Sequence, residues 1–593
     1  MGERLDRVKV HLRRAFWGFV ASFLIVQGVF WWMVRLPAPE VEVPVLPAPT
    51  IDGDRISRPG GGFLERRDGY WFFLHRGDAV TLGAEHAQLG EFLIQRTEDK
   101  MFAEFQDSIP RLVQPFLPPL LLWQYRRMPA QIPLHQREEL WGFSASYADR
   151  HGFPLSAYRR GIYYHALHDM IQGLVDMPRL VDNVDPSRAG ACTAFAASGE
   201  SSEDGHLILG RNFDFEVFPT FDEDKVVHLY ARDGAIPVLS VSWMAMGGVV
   251  TGMNADGIWI SINAAASEGR NREGPPVSLW IRDLLEQARS IDDVRRLMAE
   301  TDPIVSDIYL VGDGSTGEAV AIERGQTRMG ERGQDDKGRI VVANHLLTAE
   351  FAGDADDASL RARSSTVSRH MRMRELVDAA PLSPSRGVEI LRDKRAPGGE
   401  RMAPGNRNAI DAVIATHSAV ADATDRLLWV SIAPHTVGRY ARIDLLAELD
   451  AAGIDTAPWR DGLADGARAW EYAGDDASGP PGEFYFDHTF LRELGALERQ
   501  RAFLDDAAAY LRDDEPARAL DMAHRADAML PGAPAPALMR ARACLAMEDE
   551  ICAEVAYTDY LNRFPGLGSE HRRATEWLNA RGGAPTVTRP DGL

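Results

Sequence analysis

The sequence predicts an α+β protein: a mainly antiparallel sheet region with helical segments before and after it. Three observations carry that expectation. Residues 63–188 repeat apolar positions at three- and four-residue spacing, the mark of amphipathic helices. From Cys192 onward, short β-branched and aromatic runs such as "KVVHLYAR" and "GIWISIN" are separated by turn residues. Beyond residue 494 the helical spacing returns. Grouped strands and grouped helices point to α+β rather than to alternating parallel units.

Composition bounds the rest. A chain of 593 residues is too long for one core. Its 45% hydrophobic and 26% charged residues are those of an ordinary globular protein. A net charge of −22 disfavours nucleic acid as a partner, because phosphate recognition needs basic surface. Three cysteines provide no disulfide framework. GxSxG, HExxH, Walker and paired CxxC motifs are absent, so no metal or cofactor is expected. His165 and His168 in "HALHD" are helical neighbours and are expected to be ordinary histidines.

Residues 15–34, "AFWGFVASFLIVQGVFWWMV", carry no charge and are long enough to span a bilayer. Arg4, Arg7, Lys9, Arg13 and Arg14 precede them, which by the positive-inside rule places residues 1–14 in the cytoplasm. The expectation is a single-pass membrane anchor with everything beyond it periplasmic or extracellular. A cleaved signal peptide fits less well, since no A-x-A site follows. Residues 35–62 contain Pro37, Pro39, Pro44, Pro47, Pro49 and Pro59 and read as an extended stalk. Residues 63–191 read as a helical domain and 192–460 as the sheet-bearing domain. Residues 461–493, with Gly, Pro, Asp and Ser concentrated at 473–483, read as a linker before helices at 494–582 and a tail at 583–593. Within those helices Pro531-Gly532 recurs thirty-four residues on as Pro565-Gly566, and Ala519 as Ala553. The stretch resembles a pair of tetratricopeptide units, which implies a protein partner. Cys544 and Cys552 are compatible with either a disulfide or two packed thiols.

Cys192 raises the question of chemistry. A thiol is a useful nucleophile only with a base or a depressed pKa, and no cysteine–histidine motif surrounds it. One base needs no side chain. If the bond after Ala191 is cut, Cys192 gains a free α-amine, which titrates near pH ~7.7–8 and is partly neutral at physiological pH. The small residues Ala189, Gly190 and Ala191 allow the tight bend by which the thiol reaches the preceding carbonyl.

Here the motifs become specific. Cys192-Thr193 opens a strand, and Gly210-Arg211-Asn212-Phe213-Asp214 stands on the return strand of the hairpin. "GMNADGIWISIN", ending at Asn263, "VVANHL" with Asn344-His345, and "HSAVADATDRLLWVSIAP" follow in order. This set resembles the N-terminal-nucleophile (Ntn) hydrolases, nearest the cysteine family of isopenicillin N acyltransferase (acyl-coenzyme A:6-aminopenicillanic acid acyltransferase), over roughly residues 192–446. The resemblance implies a four-layer αββα core, with residues 63–191 as a helical propeptide, and self-cleavage between Ala191 and Cys192. It implies Cys192 as nucleophile, its amine as base, Arg211 beside the thiolate, and Asp214 orienting the amine. Asn344 and Asn263 would line the oxyanion hole, with Arg369 a second arginine for substrate. The substrate would be a small amide or thioester, passing through a thioester acyl-enzyme. Hydrolysis is expected over transfer to an amine, because coenzyme A thioesters are scarce outside the cytoplasm. A non-catalytic scaffold is the alternative of another class. After cleavage, packing alone is expected to hold the two pieces together.

Overall fold

The computed structural model describes residues 17, 22, 25, 27–67, 69–108, 111, 114–151, 155–175, 191–214, 220–269, 273–460, 490–563 and 569–581. Residues 1–14, most of the 461–493 linker and the 583–593 tail lie outside them.

The described strands form two sheets. The larger, of eleven strands, runs β1 (Thr50–Asp52), β2 (Arg55–Ser57), β3 (Phe63–Arg67), β4 (Tyr70–Gly77), β7 (Lys225–Arg232), β8 (Val238–Trp243), β9 (Thr251–Asn254), β10 (Ile258–Ala264), β11 (Asp307–Asp313), β12 (Glu318–Arg324) and β13 (Met329–Gly333). The smaller, of six, runs β14 (Arg339–Val342), β5 (Thr193–Gly199), β6 (Gly205–Asp214), β15 (Ala415–Asp422), β16 (Leu427–Ser431) and β17 (Tyr440–Asp444). β4 and β7 pair in parallel. The hairpin expected from the sequence is antiparallel, with Thr193 opposite Asn212 and Ala194 opposite Arg211.

The period of two along each strand assigns the cores. Ala194 and Ala196 of β5, Leu207 and Leu209 of β6, and Trp259 of β10 pack in one cluster fed by both sheets. Phe195 and Ala197, with Ile208, point the other way. They meet Met373 of helix Thr366–Ala379 and Val388 of helix Pro384–Leu391. Ile258, Ile260 and Ile262 of β10 likewise face Ile281 and Leu284 of helix Val277–Leu285. Small alanines on the inner face of β5 let the sheets approach. A larger side chain there would force the kind of overpacking that costs about 1–3 kcal/mol.

Three expectations change. First, no helix among the described residues is long and apolar enough to cross a membrane, which overturns the single-pass anchor and the topology drawn from it. The C-terminal end of that apolar run is instead docked on the protein. Val34 is buried and its carbonyl accepts from Arg159 Nη2 at 2.7 Å, while Phe30 stacks on Trp123. Hydropathy counts charges along a run and is blind to such tertiary contacts. Second, residues within the supposed stalk and helical domain form β1–β4. "YWFFLHRG" is buried on both faces as β4, and such a run lacks the alternation that separates strand from buried helix. Third, because β4 pairs with β7, the segment before Cys192 is joined to the segment after it by backbone hydrogen bonds as well as by packing.

Elsewhere among the described residues of 63–191 helices do form, including one within the proline-bearing "FLPPLLLWQY". Its two prolines fall in the first turn of helix Leu117–Gln124, where their missing N–H groups have no intrahelical partner to lose. At the C-terminus, helices Leu491–Arg512, Pro516–Met529, Pro534–Ala546, Glu550–Arg563 and Ser569–Asn579 pack through buried alanines such as Ala519, Ala537, Ala541 and Ala556. Cys544 and Cys552 are joined by a disulfide. The first of these helices is docked directly on the sheet domain: Phe490, Leu494 and Leu497 pack with Val413 and Val437.

Candidate active site

Cys192 lies just before β5, buried, and is the free cysteine of the chain. Pairing of β5 with β6 carries Arg211 and Asp214 to the same end of the smaller sheet. There the Ala191 N–H donates to the Asp214 carbonyl at 3.3 Å. Ala191 itself packs against Ala412 and Ile414.

The end of β10 ties the remaining residues together. Ile262 O accepts from Arg211 Nη2, Asn263 Nδ2 donates to Ala343 O at 3.0 Å, and Ala264 O accepts from Asn344 Nδ2 at 2.8 Å. Arg369, on helix Thr366–Ala379, closes the cluster. Its Nη1 donates to Ala191 O at 2.7 Å and to Cys192 O at 2.6 Å, and its Nη2 donates to Asn344 Oδ1 at 2.7 Å. Cys192, Arg211, Asp214, Asn263, Asn344 and Arg369 therefore converge, although 177 residues separate Cys192 from Arg369.

The electrostatics are those of a dry site. Burial pushes the Cys192 thiol up, with Asp214 adding to the rise; Arg211, the Asp214 backbone N–H and Arg369 oppose it. Burial raises Asp214 to about 7 against the pull of Arg369. Arg369 is lowered to about 10 by burial, with Asp214 and Cys192 resisting. Burial also lowers Arg211, and the Cys192 thiol counteracts it most strongly. Asp214 Oδ2, Asn263 Oδ1 and Arg211 Nε are buried without a hydrogen-bond partner. Each such group costs about 1–3 kcal/mol. Three around one thiol mark a place where stability has been given up.

Helix Leu167–Val175 packs beside this site. On helix Leu167–Val175, Gln172 Nε2 donates to Ala265 O and Ser306 O at 2.5 and 2.7 Å, and His168 lies over the Phe213 ring. Asp169 from this helix and Asp307 of β11 are both fully buried. Burial raises Asp169 well above the carboxylate range, with Asp307 adding to the rise. Burial likewise brings Asp307 to about 8. His165 Nδ1 bonds the Gly161 carbonyl, so this histidine serves its own helix. Sequence reasoning gave no role to Thr251 and His417. Yet Arg211 Nη1 donates to Thr251 Oγ1 at 2.8 Å, and Thr251 Oγ1 meets His417 Nε2 at 2.8 Å. No motif spacing signals that contact, because it joins strands of different sheets.

Among the described residues, Asp204, His206 and Asp422 are the one group of His, Cys or acidic side chains gathered closely enough to hold a metal ion. They sit at the opposite end of the β5–β6 hairpin, and His206 Nδ1 is already bonded to Asp422 Oδ2 at 2.9 Å.

Comparison with known proteins agrees with the motifs. Residues 201–429 match the family described as acyl-coenzyme A:6-aminopenicillanic acid acyl-transferase. That segment contains Arg211, Asp214, Asn263, Asn344 and Arg369 and begins just after Cys192. No curated protein matches the chain. Solved structures that it resembles include a Caenorhabditis elegans N-acylethanolamine-hydrolyzing acid amidase ortholog, with 19% identity over 39% of this chain and 93% of that one, TM-score 0.30. Two variants of conjugated bile acid hydrolase from Clostridium perfringens each show 14% identity over 43% of this chain and 93% of theirs, TM-score 0.28. The resemblance read from the motifs is borne out over residues 201–429, which match this acyl-transferase family and so point to an enzyme segment.

Proposed function

We propose that this protein is a self-processing cysteine amidase or acyltransferase whose nucleophile is Cys192. One observation supports this most: the Arg369 guanidinium donates to the carbonyl of Ala191, the group a self-cleaving cysteine must attack. At 2.7 Å it stands where oxyanion-hole donors stand. In self-cleavage Sγ attacks that carbonyl carbon, closing a five-membered ring, and the developing oxyanion faces Arg369. The Cys192 nitrogen takes a proton and leaves, giving a thioester between Ala191 and Sγ. Water hydrolyses the thioester, freeing the Ala191 carboxylate, the thiol and the Cys192 α-amine.

The amine then explains the orphaned carboxylate oxygen. Asp214 Oδ2, unpartnered in the uncut chain, accepts from the new amine and orients it. In turnover the amine takes the thiol proton, and the thiolate attacks a substrate amide or thioester. Arg211 stabilises the sulfur, and Asn344 and Asn263 hold the oxyanion. The acyl group departs to water or to an amine. The argument that favoured water rested on an extracytoplasmic location, and it falls with the membrane anchor. Product analysis with and without an added amine decides between the two.

In this reading the two sheets and their flanking helices are the αββα layers. Residues up to Ala191 are the propeptide, and the C-terminal helices are a tetratricopeptide-like pair that docks a partner. The thiol is buried, so substrate access requires the chain before it to be cut and shifted. Intact mass of the purified chain, wild type beside Cys192→Ala, is the test. Two pieces, one ending at Ala191 and the other beginning at Cys192, are expected in the wild type alone. One uncut chain in both samples, with no acylation of Cys192 by an amide probe, overturns the proposal.

A further inference from the structure

Arg211 is held by three acceptors: Val250 O at 2.6 Å and Thr251 Oγ1 at 2.8 Å on Nη1, and Ile262 O on Nη2. The two carbonyls are fixed by strand geometry. Thr251 Oγ1 is different, because what it offers the guanidinium depends on where its own proton points. On its other side, 2.8 Å away, lies His417 Nε2 of β15, in the opposite sheet. The imidazole stacks on Phe213 and lies near Trp243, so its ring plane is set by packing.

Two proton arrangements satisfy that contact. In the first, Thr251 O–H donates to Nε2 and the ring carries its proton on Nδ1. In the second, Nε2–H donates to Oγ1, and the Thr251 proton has no acceptor. His417 Nδ1 is buried without a partner in either case. The first arrangement leaves one unpaired buried group and the second leaves two, at about 1–3 kcal/mol each. The network therefore runs from Arg211 N–H to Thr251 O–H to His417 Nε2, each donor polarised by the one before it. His417 stays neutral: burial, then the charges of Arg211 and Lys225, hold it far below the ordinary histidine range.

We propose that His417 is a positioning residue, which by accepting the Thr251 hydroxyl aims that oxygen's lone pairs at Arg211 and so fixes the guanidinium against the Cys192 thiol. Without that acceptor the hydroxyl proton is free to turn toward Arg211 Nη1, donor against donor, and the cation loses its register. The inference rests on the assignment of Cys192 as nucleophile and Arg211 as its cation. Besides Arg211, the charged groups acting on the thiol are Asp214 and Arg369, and neither touches His417.

Because Cys544 and Cys552 are paired, a full chain labelled with carbon-13 at the cysteine β-carbon should show one titrating signal, that of Cys192. In Thr251→Val and His417→Phe the midpoint should rise by about one pH unit, a tenfold fall in the ionisation constant. Thr251→Ser and His417→Gln, which restore the hydroxyl and an acceptor near Nε2, should return it to within about a third of a unit. If His417→Phe does not fold by circular dichroism, Thr251→Val carries the same comparison. Arg211→Gln separates the two levels. A midpoint moved by Arg211→Gln but not by Thr251→Val, or moved equally by His417→Gln and His417→Phe, overturns the positioning role alone. A midpoint unmoved by Arg211→Gln overturns the assignment of Arg211 and the inference built on it.

Discussion

The β5–β6 hairpin has two ends, and they are built on opposite principles. At one, His206 Nδ1 donates to Asp422 Oδ2 at 2.9 Å with Asp204 and Asp425 within 3.6 and 3.7 Å, near solvent. The hydrogen bond to Asp422 is the largest cause raising the His206 pKa, so charge and geometry agree. At the other, eight positions along β6 and roughly 26 Å away, Asp214 is buried, raised to about 7, and keeps one oxygen unpaired. The same strand thus carries an ion-paired histidine at one end and a carboxylate with an unpaired oxygen at the other. The contrast teaches which end has room for a new polar partner, and on the proposed reading that partner is the freed amine of Cys192.

The comparison can be broken or sharpened by substitution. Cys192→Ala should abolish turnover, a loss of about 10⁵-fold or more by product assay, and leave the far end untouched. Arg369→Met should slow self-cleavage by about 10²–10³-fold, the usual cost of one oxyanion donor, read as the half-time of fragment appearance. A half-time equal to wild type would remove Arg369 from the reaction.

Asp214→Asn should cut turnover by about 10²-fold, and it has a stability signature as well. Burial raises the folded pKa of Asp214 above its unfolded value, so the native state holds a proton that the unfolded carboxyl releases. Stability is full below the ordinary carboxyl pKa, declines as pH rises toward about 7, and levels off above. In an uncut Cys192→Ala background, Asp214→Asn should therefore stabilise at pH 8 by on the order of 3 kcal/mol and do little at pH 4. Urea melts at the two pH values check this; equal effects at both would show that the carboxyl is not perturbed.

The smallest effect is expected at the His206 end. His206 has a raised folded pKa, so its contribution is present below the unfolded value and fades as pH rises through the folded one. His206→Gln should cost about 1 kcal/mol near pH 6, a figure discounted for partial exposure, and nothing in strong alkali. Turnover should stay within about twofold of wild type, and a larger loss would mean that the two ends are coupled.

Legibility in the sequence divided along similar lines. Strands with clean alternation or β-branched runs, such as "KVVHLYAR", fall at Lys225–Arg232, and "DIYLVGD" at Asp307–Asp313. Arg211 and Asp214 are legible because hairpin pairing is local, so their place beside Cys192 follows from spacing. Asn263, Asn344 and Arg369 come from the resemblance, since the contacts that gather them join distant segments. Thr251 carries no motif, and His417, which opens "HSAVADATDRLLWVSIAP", gets no role from it; only the facing of two sheets brings them together. β4 and the docked end of the 15–34 run misled for one reason: an apolar stretch announces burial, but not what it is buried against.

What the sequence by itself determined was the hairpin, the order of its charged residues and the family likeness, all short-range patterns set by a period of two and by turn chemistry. What the tertiary structure decided was the closure of the site. It set Arg369 on the Ala191 carbonyl, joined β4 to β7, and left Asp214 with an unpaired oxygen. Those features depend on which surfaces exclude water together, and that is a property of the packed chain rather than of any segment of it.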